Sequence, residues 1–223
     1  MILREEVIDD ILKNKIIVIM RGYTTDELVF AVEAMEKGGV KLVEVTFDQS
    51  GKIPNELTAS QIKELSERFR GRVRIGAGTV MTPEQVELAY NAGAEYIISP
   101  DCYREVIEKT RELGMVSLPG AITPTEAANA HRWGADFVKL FPNSEFKPSY
   151  LKALAAPLSH IRFLAVGGVN ADNLKEYLAA GAVGIGVATA IASKDLIKKG
   201  DAEGITELAR KFTSQLRFFK KFT

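Results

Sequence analysis

The chain is poor in cysteine, tryptophan and histidine, with one, one and two of them in 223 residues. A lone cysteine, Cys102, excludes an internal disulfide framework and favours a reducing, cytoplasmic setting. Cys102 itself reads as a small structural residue. The two histidines, His131 and His160, stand near arginines in helix or loop sequence and read as surface residues. No His-x-His, His-Glu-x-x-His or carboxylate cluster is present, so no metal site is expected. Charge of one sign is lacking too: 29 Lys and Arg balance 29 Asp and Glu. That balance argues against nucleic acid or an anionic membrane as partner. No run of about 18 apolar residues exists to span a bilayer. The opening Met1-Ile2-Leu3-Arg4-Glu5-Glu6 is charged and lacks the apolar centre of a signal peptide. The basic, aromatic Arg217-Phe218-Phe219-Lys220-Lys221-Phe222 reads as a helix end packing on the protein or on another subunit, rather than on lipid. Linkers and low-complexity segments are missing as well, so residues 1–223 are expected to form one domain.

What is present is a strict alternation of short apolar runs and amphipathic stretches. An amphipathic segment, Arg4 to Lys13, opens the chain. Apolar runs follow at Lys15–Gly22, Lys41–Phe47, Arg74–Val80, Tyr96–Pro100, Met115–Gly120, Phe137–Pro142, Arg162–Gly168 and Val183–Thr189. Helical patterns separate them. Thr25 is the expected cap of one helix, and Thr82-Pro83 and Thr123-Pro124 open two others. Glycine stops recur in Asn91-Ala92-Gly93-Ala94, Trp133-Gly134-Ala135-Asp136 and Ala179-Ala180-Gly181-Ala182. Continuous apolar strands alternating with helices imply a parallel sheet covered by helices. Eight such units in about 200 residues predict a (β/α)8 TIM barrel with an extra N-terminal helix.

In such barrels, functional groups stand at the carboxyl ends of the strands. Lys139 lies mid-strand, with Phe137 and Phe141 on its face. Dehydration among aromatics lowers an amine's pKa, and a neutral amine can attack a carbonyl. The plainer reading is a lysine whose head reaches water at a strand end. Glu44 is flanked by Val43 and Val45. It suits proton transfer if buried, or is half of an ion pair with Lys139 or Arg21. Arg21 could fork a carboxylate or simply be a rim charge. Gly167-Gly168, followed by Asn170 as a helix cap, offers backbone amides to an anion, with Thr189 on the neighbouring strand end.

Taken together, Val43-Glu44-Val45-Thr46, Gly76-Ala77-Gly78-Thr79-Val80, Ile98-Ser99-Pro100, Pro119-Gly120, Val138-Lys139-Leu140-Phe141-Pro142 and Gly167-Gly168-Val169 resemble the 2-keto-3-deoxy-6-phosphogluconate (KDPG) / 4-hydroxy-2-oxoglutarate (KHG) aldolase family. The resemblance runs in order from about residue 15 to 195. It implies a class I lyase needing neither metal nor cofactor, acting on a 2-keto acid to give pyruvate and an aldehyde, and assembling as a homotrimer. It implies Lys139 as the Schiff-base lysine and Glu44 as the proton carrier. It also implies Arg21, Thr79, Pro100 and Phe141 around the pyruvate portion, with Gly167, Gly168 and Thr189 near a phosphate. Three positions depart from the family pattern. Val166 stands where relatives often carry threonine, Thr189 where serine is commoner, and Asp48 at a position often neutral or basic. An aspartate at the mouth would repel an anionic substrate. Two other readings stay open at this point: a phosphate-binding barrel isomerase or synthase, and an inactive binding barrel.

Overall fold

The computed structural model describes residues 3–219. The packing of the aromatic end, Arg217 to Phe222, concerns side chains outside the described ones. The strands are β1 (Ile16–Met20), β2 (Leu42–Thr46), β3 (Arg74–Gly78), β4 (Tyr96–Ile98), β5 (Val116–Leu118), β6 (Gly120–Ala121), β7 (Val138–Leu140), β8 (Phe163–Val166) and β9 (Gly184–Val187). Helix α1 (Arg4–Asn14) precedes them. Between strands run α2 (Thr25–Lys37), α3 (Asn55–Arg68), α4 (Pro83–Asn91), α5 (Arg104–Glu112), α6 (Pro124–Arg132), α7 (Pro148–Ala155) and α8 (Leu174–Ala179). The short α9 (Lys194–Lys198) and the long α10 (Ala202–Phe219) follow.

Every strand pairing is parallel, in the order β5-β4-β3-β2-β1-β9-β8-β7-β6. The expected α/β barrel is therefore present, with nine strands where eight were expected. The extra strand comes from Pro119, which interrupts the fifth apolar run because it has no N–H to give a ladder. Before Pro119 the run pairs with β4, and after it with β7. The same segment thus occupies both ends of the strand order and draws the barrel closed. Across the join, Lys139 N–H donates to Pro119 O at 2.9 Å and Gly120 N–H to Asp101 O at 2.9 Å.

Local chemistry explains the helix starts. Thr24, not Thr25, caps α2: its hydroxyl accepts from Glu27 N–H while the Glu27 carboxylate accepts from Thr24 N–H. Two oxygens thereby satisfy amides that have no partner within the helix. Thr123 and Glu126 repeat this arrangement at α6, and Thr82 caps α4. The α9 turn was not expected; Ser193 caps it.

Two apolar cores result. The larger lies between strands and helices. The smaller fills the barrel, where inward residues Ile17, Leu42, Tyr96, Leu118, Phe137 and Leu164 pack against Val7, Ile8 and Ile11 of α1. The N-terminal helix thus stoppers one end. Arg74 fastens it, bonding Asp10 at 2.8 Å and Glu95 at 2.7 Å. At the other end the interior is open. Two inward positions of β3 must be glycine. A Cβ on Gly76 would fall 2.1 Å from the Tyr96 ring, and one on Gly78 would fall 1.6 Å from a Glu44 oxygen. The Gly-Ala-Gly run is where β3 yields its interior space to neighbours.

Candidate active site

The open end holds a cavity of about 570 Å³. All nine candidate residues line it: Arg21, Glu44, Thr79, Pro100, Lys139, Phe141, Gly167, Gly168 and Thr189. They come from seven strands and the turns after them, distant in sequence and gathered by barrel closure. The lining also includes Ile19, Val166, Val169, Asn170, Gly186, Val187, Ala188 and Ala190. Ile19 and the apolar wall after β9 gave no signal in sequence, because an apolar side chain facing a cavity looks like one facing a core.

Lys139 is the inward residue of β7 and only 6% exposed. Its Nζ sits 4.5 Å from the centroid of the Phe141 ring. Burial pushes the ammonium below its ordinary range; the negative Glu44 opposes this and the positive Arg21 adds to it. The lysine head therefore does not reach bulk water, against the plainer reading. Glu44 is 1% exposed. Burial raises its carboxyl above the ordinary value, while Lys139 and Arg21 pull it down. One of its oxygens, Oε2, is buried with no hydrogen-bond partner among the described residues. Neither Lys139 nor Arg21 forms an ion pair with it within 4.0 Å among those residues. The alternative of a structural ion pair is thus not what the geometry shows. A buried, unpaired carboxylate is costly, and functional sites are where such a cost is found.

Arg21 follows β1 and reaches across the mouth. Its Nη2 donates to the Thr79 hydroxyl at 2.8 Å. Thr79 has φ +54°, a left-handed conformation rare for a β-branched residue. At the far wall Gly167 and Gly168 have φ +98° and +72°. A Cβ on Gly168 would meet the Ser144 backbone at 2.9 Å, so the turn also needs glycine for close approach.

Two expectations at this wall change. Asn173 rather than Asn170 is the N-cap residue of α8, and the amides of the turn just before the helix are not bare. Asn170 Oδ1 accepts from the amides of Asp172 and Asn173, and Asn173 Oδ1 accepts from Asn170 N–H. The pair caps itself and leaves the preceding glycine turn as the source of amides. Asp48, expected as a repelling charge at the mouth, does not line the cavity. Its carboxylate accepts from Ser50, Lys52 and Ile53 and holds its own loop. Those bonds, the Ser50 hydroxyl first, lower its pKa to about 2.

Residues outside the cavity are plainer. His131 and His160 are exposed and meet edge to face, with centroids 4.8 Å apart. Cys102 is half-buried, and burial pushes its thiol up to about 11. Among the described residues no group of three or more His, Cys, Asp or Glu converges, and no helix is long and apolar enough to cross a membrane.

A parallel barrel whose open end gathers a dehydrated amine and an unpaired carboxylate has the form of a barrel enzyme. The model of the KDPG and KHG aldolases matches residues 7–208, and the chain belongs to that family of lyases. It is 36% identical over 191 residues to the 2-dehydro-3-deoxy-6-phosphogalactonate aldolase of Escherichia coli, covering 85% of this chain and 88% of that one. It is 35% identical over 179 residues to the 2-dehydro-3-deoxy-phosphogluconate aldolase of Pseudomonas aeruginosa, covering 80% and 78%. Among solved structures, KDPG aldolase from Legionella pneumophila superposes with a TM-score of 0.79 at 27% identity, over 89% of this chain and 94% of that one. In that structure pyruvate is captured as a covalent carbinolamine.

Proposed function

We propose that this protein is a Schiff-base aldolase that cleaves a 2-keto-3-deoxy acid to pyruvate and an aldehyde. The observation that carries this reading is Lys139: a buried amine, held below its ordinary pKa, in one cavity with an unpartnered Glu44 carboxylate oxygen. The neutral amine adds to the keto carbon to give a carbinolamine. Loss of water gives an iminium. Glu44, directly or through a water, takes the proton of the C4 hydroxyl. The C3–C4 bond then breaks, its electrons move to the iminium, and the aldehyde departs. The enamine left behind regains a proton at C3. Water releases pyruvate and restores the lysine. The iminium serves as electron sink throughout. In this reading Arg21 and the Thr79 hydroxyl hold the carboxylate; their mutual hydrogen bond and the match of a planar fork to two carboxylate oxygens support it.

The distal end of the substrate faces the glycine turn and Thr189. Arg21 and Lys139 are the cationic residues that line the cavity. A distal phosphate would therefore be held by backbone amides and one hydroxyl, without a cation or a hydroxyl at Val166. A missing hydrogen bond to a charged group costs about 1.5–3 kcal/mol, roughly ten- to a hundredfold in affinity. The reading is a measurable but weakened preference for phosphorylated substrates, with appreciable turnover of 4-hydroxy-2-oxoglutarate and similar small acids. The relatives named for phosphorylated sugar acids support the first half, and the neutral distal wall supports the second.

The test is incubation with pyruvate and borohydride, digestion, and location of the adduct by mass. The expected adduct is on Lys139. An adduct on another lysine, or none, overturns the assignment. Lys139→Arg should abolish turnover, because a guanidinium stays protonated and cannot form the imine.

A further inference from the structure

Thr79 is strained, stands on the cavity wall, and is held from behind. Its carbonyl accepts from Gln49 Nε2 at 2.7 Å. The same Nε2 lies 3.3 Å from Gln85 Oε1, which also accepts from Met81 N–H at 2.8 Å. Gln85 Nε2 in turn donates to Asn55 Oδ1 at 3.3 Å. Gln85 is 4% exposed, so its amide is a fixed post rather than a surface group. A chain of amides thus runs from the first residue of α3, through the first turn of α4, to the peptide that bears the Thr79 side chain. On the cavity side, the hydroxyl of that threonine takes up a proton donor of Arg21.

A left-handed threonine relaxes to negative φ unless its surroundings hold it. Relaxation would turn the carbonyl and swing the hydroxyl off Arg21. Arg21 is exposed and long, so without that bond it regains many rotamers. Its value to a carboxylate lies in presenting two N–H groups in one plane. We infer that Gln49 and Gln85 are positioning residues that hold Thr79, and through it Arg21, in the geometry that receives the carboxylate of the keto acid. This rests on the reading of the cavity as a keto-acid site.

The prediction separates substrates by one group. Pyruvate carries the carboxylate, and methyl pyruvate carries a neutral ester with the same keto carbon. Adduct formation with cyanoborohydride is followed by intact mass against the concentration of each, for the unmodified protein, Gln49→Met and Gln85→Met. Gln49→Met keeps length and neutrality, removes the amide whose N–H holds the Thr79 carbonyl, and lies at an exposed position. It should raise the half-saturating pyruvate concentration about tenfold, the effect of one lost hydrogen bond to a charged partner. Methyl pyruvate should stay within about twofold, and the trapping rate at saturation should not change. Gln85→Met should act in the same direction. Equal shifts for both ketones would mean a general structural role and overturn the inference, and so would no shift for either. No adduct in the unmodified protein would instead bring down the aldolase reading, and this inference with it.

Discussion

At the scale of single residues, the site sets two groups of opposite charge against burial, and burial wins for both. The consequences have definite signs. Glu44 holds the Lys139 ammonium up, so Glu44→Gln should lower the pH midpoint of lysine trapping. Arg21 pushes it down, so Arg21→Ala should raise that midpoint. Shifts in the same direction would show that the two charges do not act on the lysine separately. Glu44→Gln should also leave imine formation largely intact while slowing deuterium exchange at the pyruvate methyl about 10²–10⁴-fold. Exchange at the unmodified rate would make Glu44 structural. The same variant reports on stability. The folded carboxyl titrates above its ordinary 4.5, so the folded chain holds its proton more tightly than the unfolded one. Stability is therefore lost as pH rises through the folded value. The glutamine variant escapes this loss. It should melt higher than the unmodified protein above about pH 4.5, with the advantage vanishing below it. At the distal wall, Val166→Thr should improve kcat/KM for a phosphorylated substrate more than for 4-hydroxy-2-oxoglutarate. Equal gains would place Val166 away from the phosphate.

At the scale of elements, the question is why β3 carries two glycines in an interior-facing row. Strand pairing sets Glu44 opposite Gly76 and Thr46 opposite Gly78. Inside the barrel, side chains from neighbouring strands compete for one volume. Tyr96 fills the space over Gly76 and donates its hydroxyl to Val43 O at 2.7 Å, while Glu44 fills the space over Gly78. Gly78→Ala should therefore destabilise by about 3 kcal/mol in urea unfolding, the upper part of the range for overpacking. The test of cause is a second substitution. Glu44→Ala removes the colliding carboxylate, so the pair Gly78→Ala/Glu44→Ala should regain most of the loss. An additive pair would mean that backbone entropy, not the collision, sets the cost.

For the whole molecule, barrel closure divides labour between two ends. The end stoppered by α1 has an apolar interior rimmed by ion pairs and serves stability; the open end turns its polar groups inward to the cavity. Ile11 is fully buried in that stopper. Ile11→Ala should cost about 2–5 kcal/mol, as large-to-small core changes do. Trapping of pyruvate per folded molecule should be unchanged, because the stopper and the cavity lie at opposite ends of the barrel. A fall in trapping at conditions where the variant is fully folded would show that the interior transmits strain from one end to the other.

The periodicity of apolar residues, the cap residues and the glycine stops dictated the strand–helix alternation, because these act over a few neighbouring residues. The mid-strand charges Lys139 and Glu44 were legible as candidates for the same reason, a charge inside an apolar run being a local signal, whereas barrel closure decided that they face inward. Other features depended on contacts between distant segments. Pro119 splits a strand only because different neighbours flank it on its two sides. Asp48 turned into its own loop, and Asn170 and Asn173 satisfied each other, because hydrogen bonds go to whichever donor the folded backbone brings near. The left-handed Thr79 and the amide chain behind it, from Gln49 through Gln85 to Asn55, arise where three separate turns meet. No local rule predicts such a meeting, and tertiary structure alone decided it.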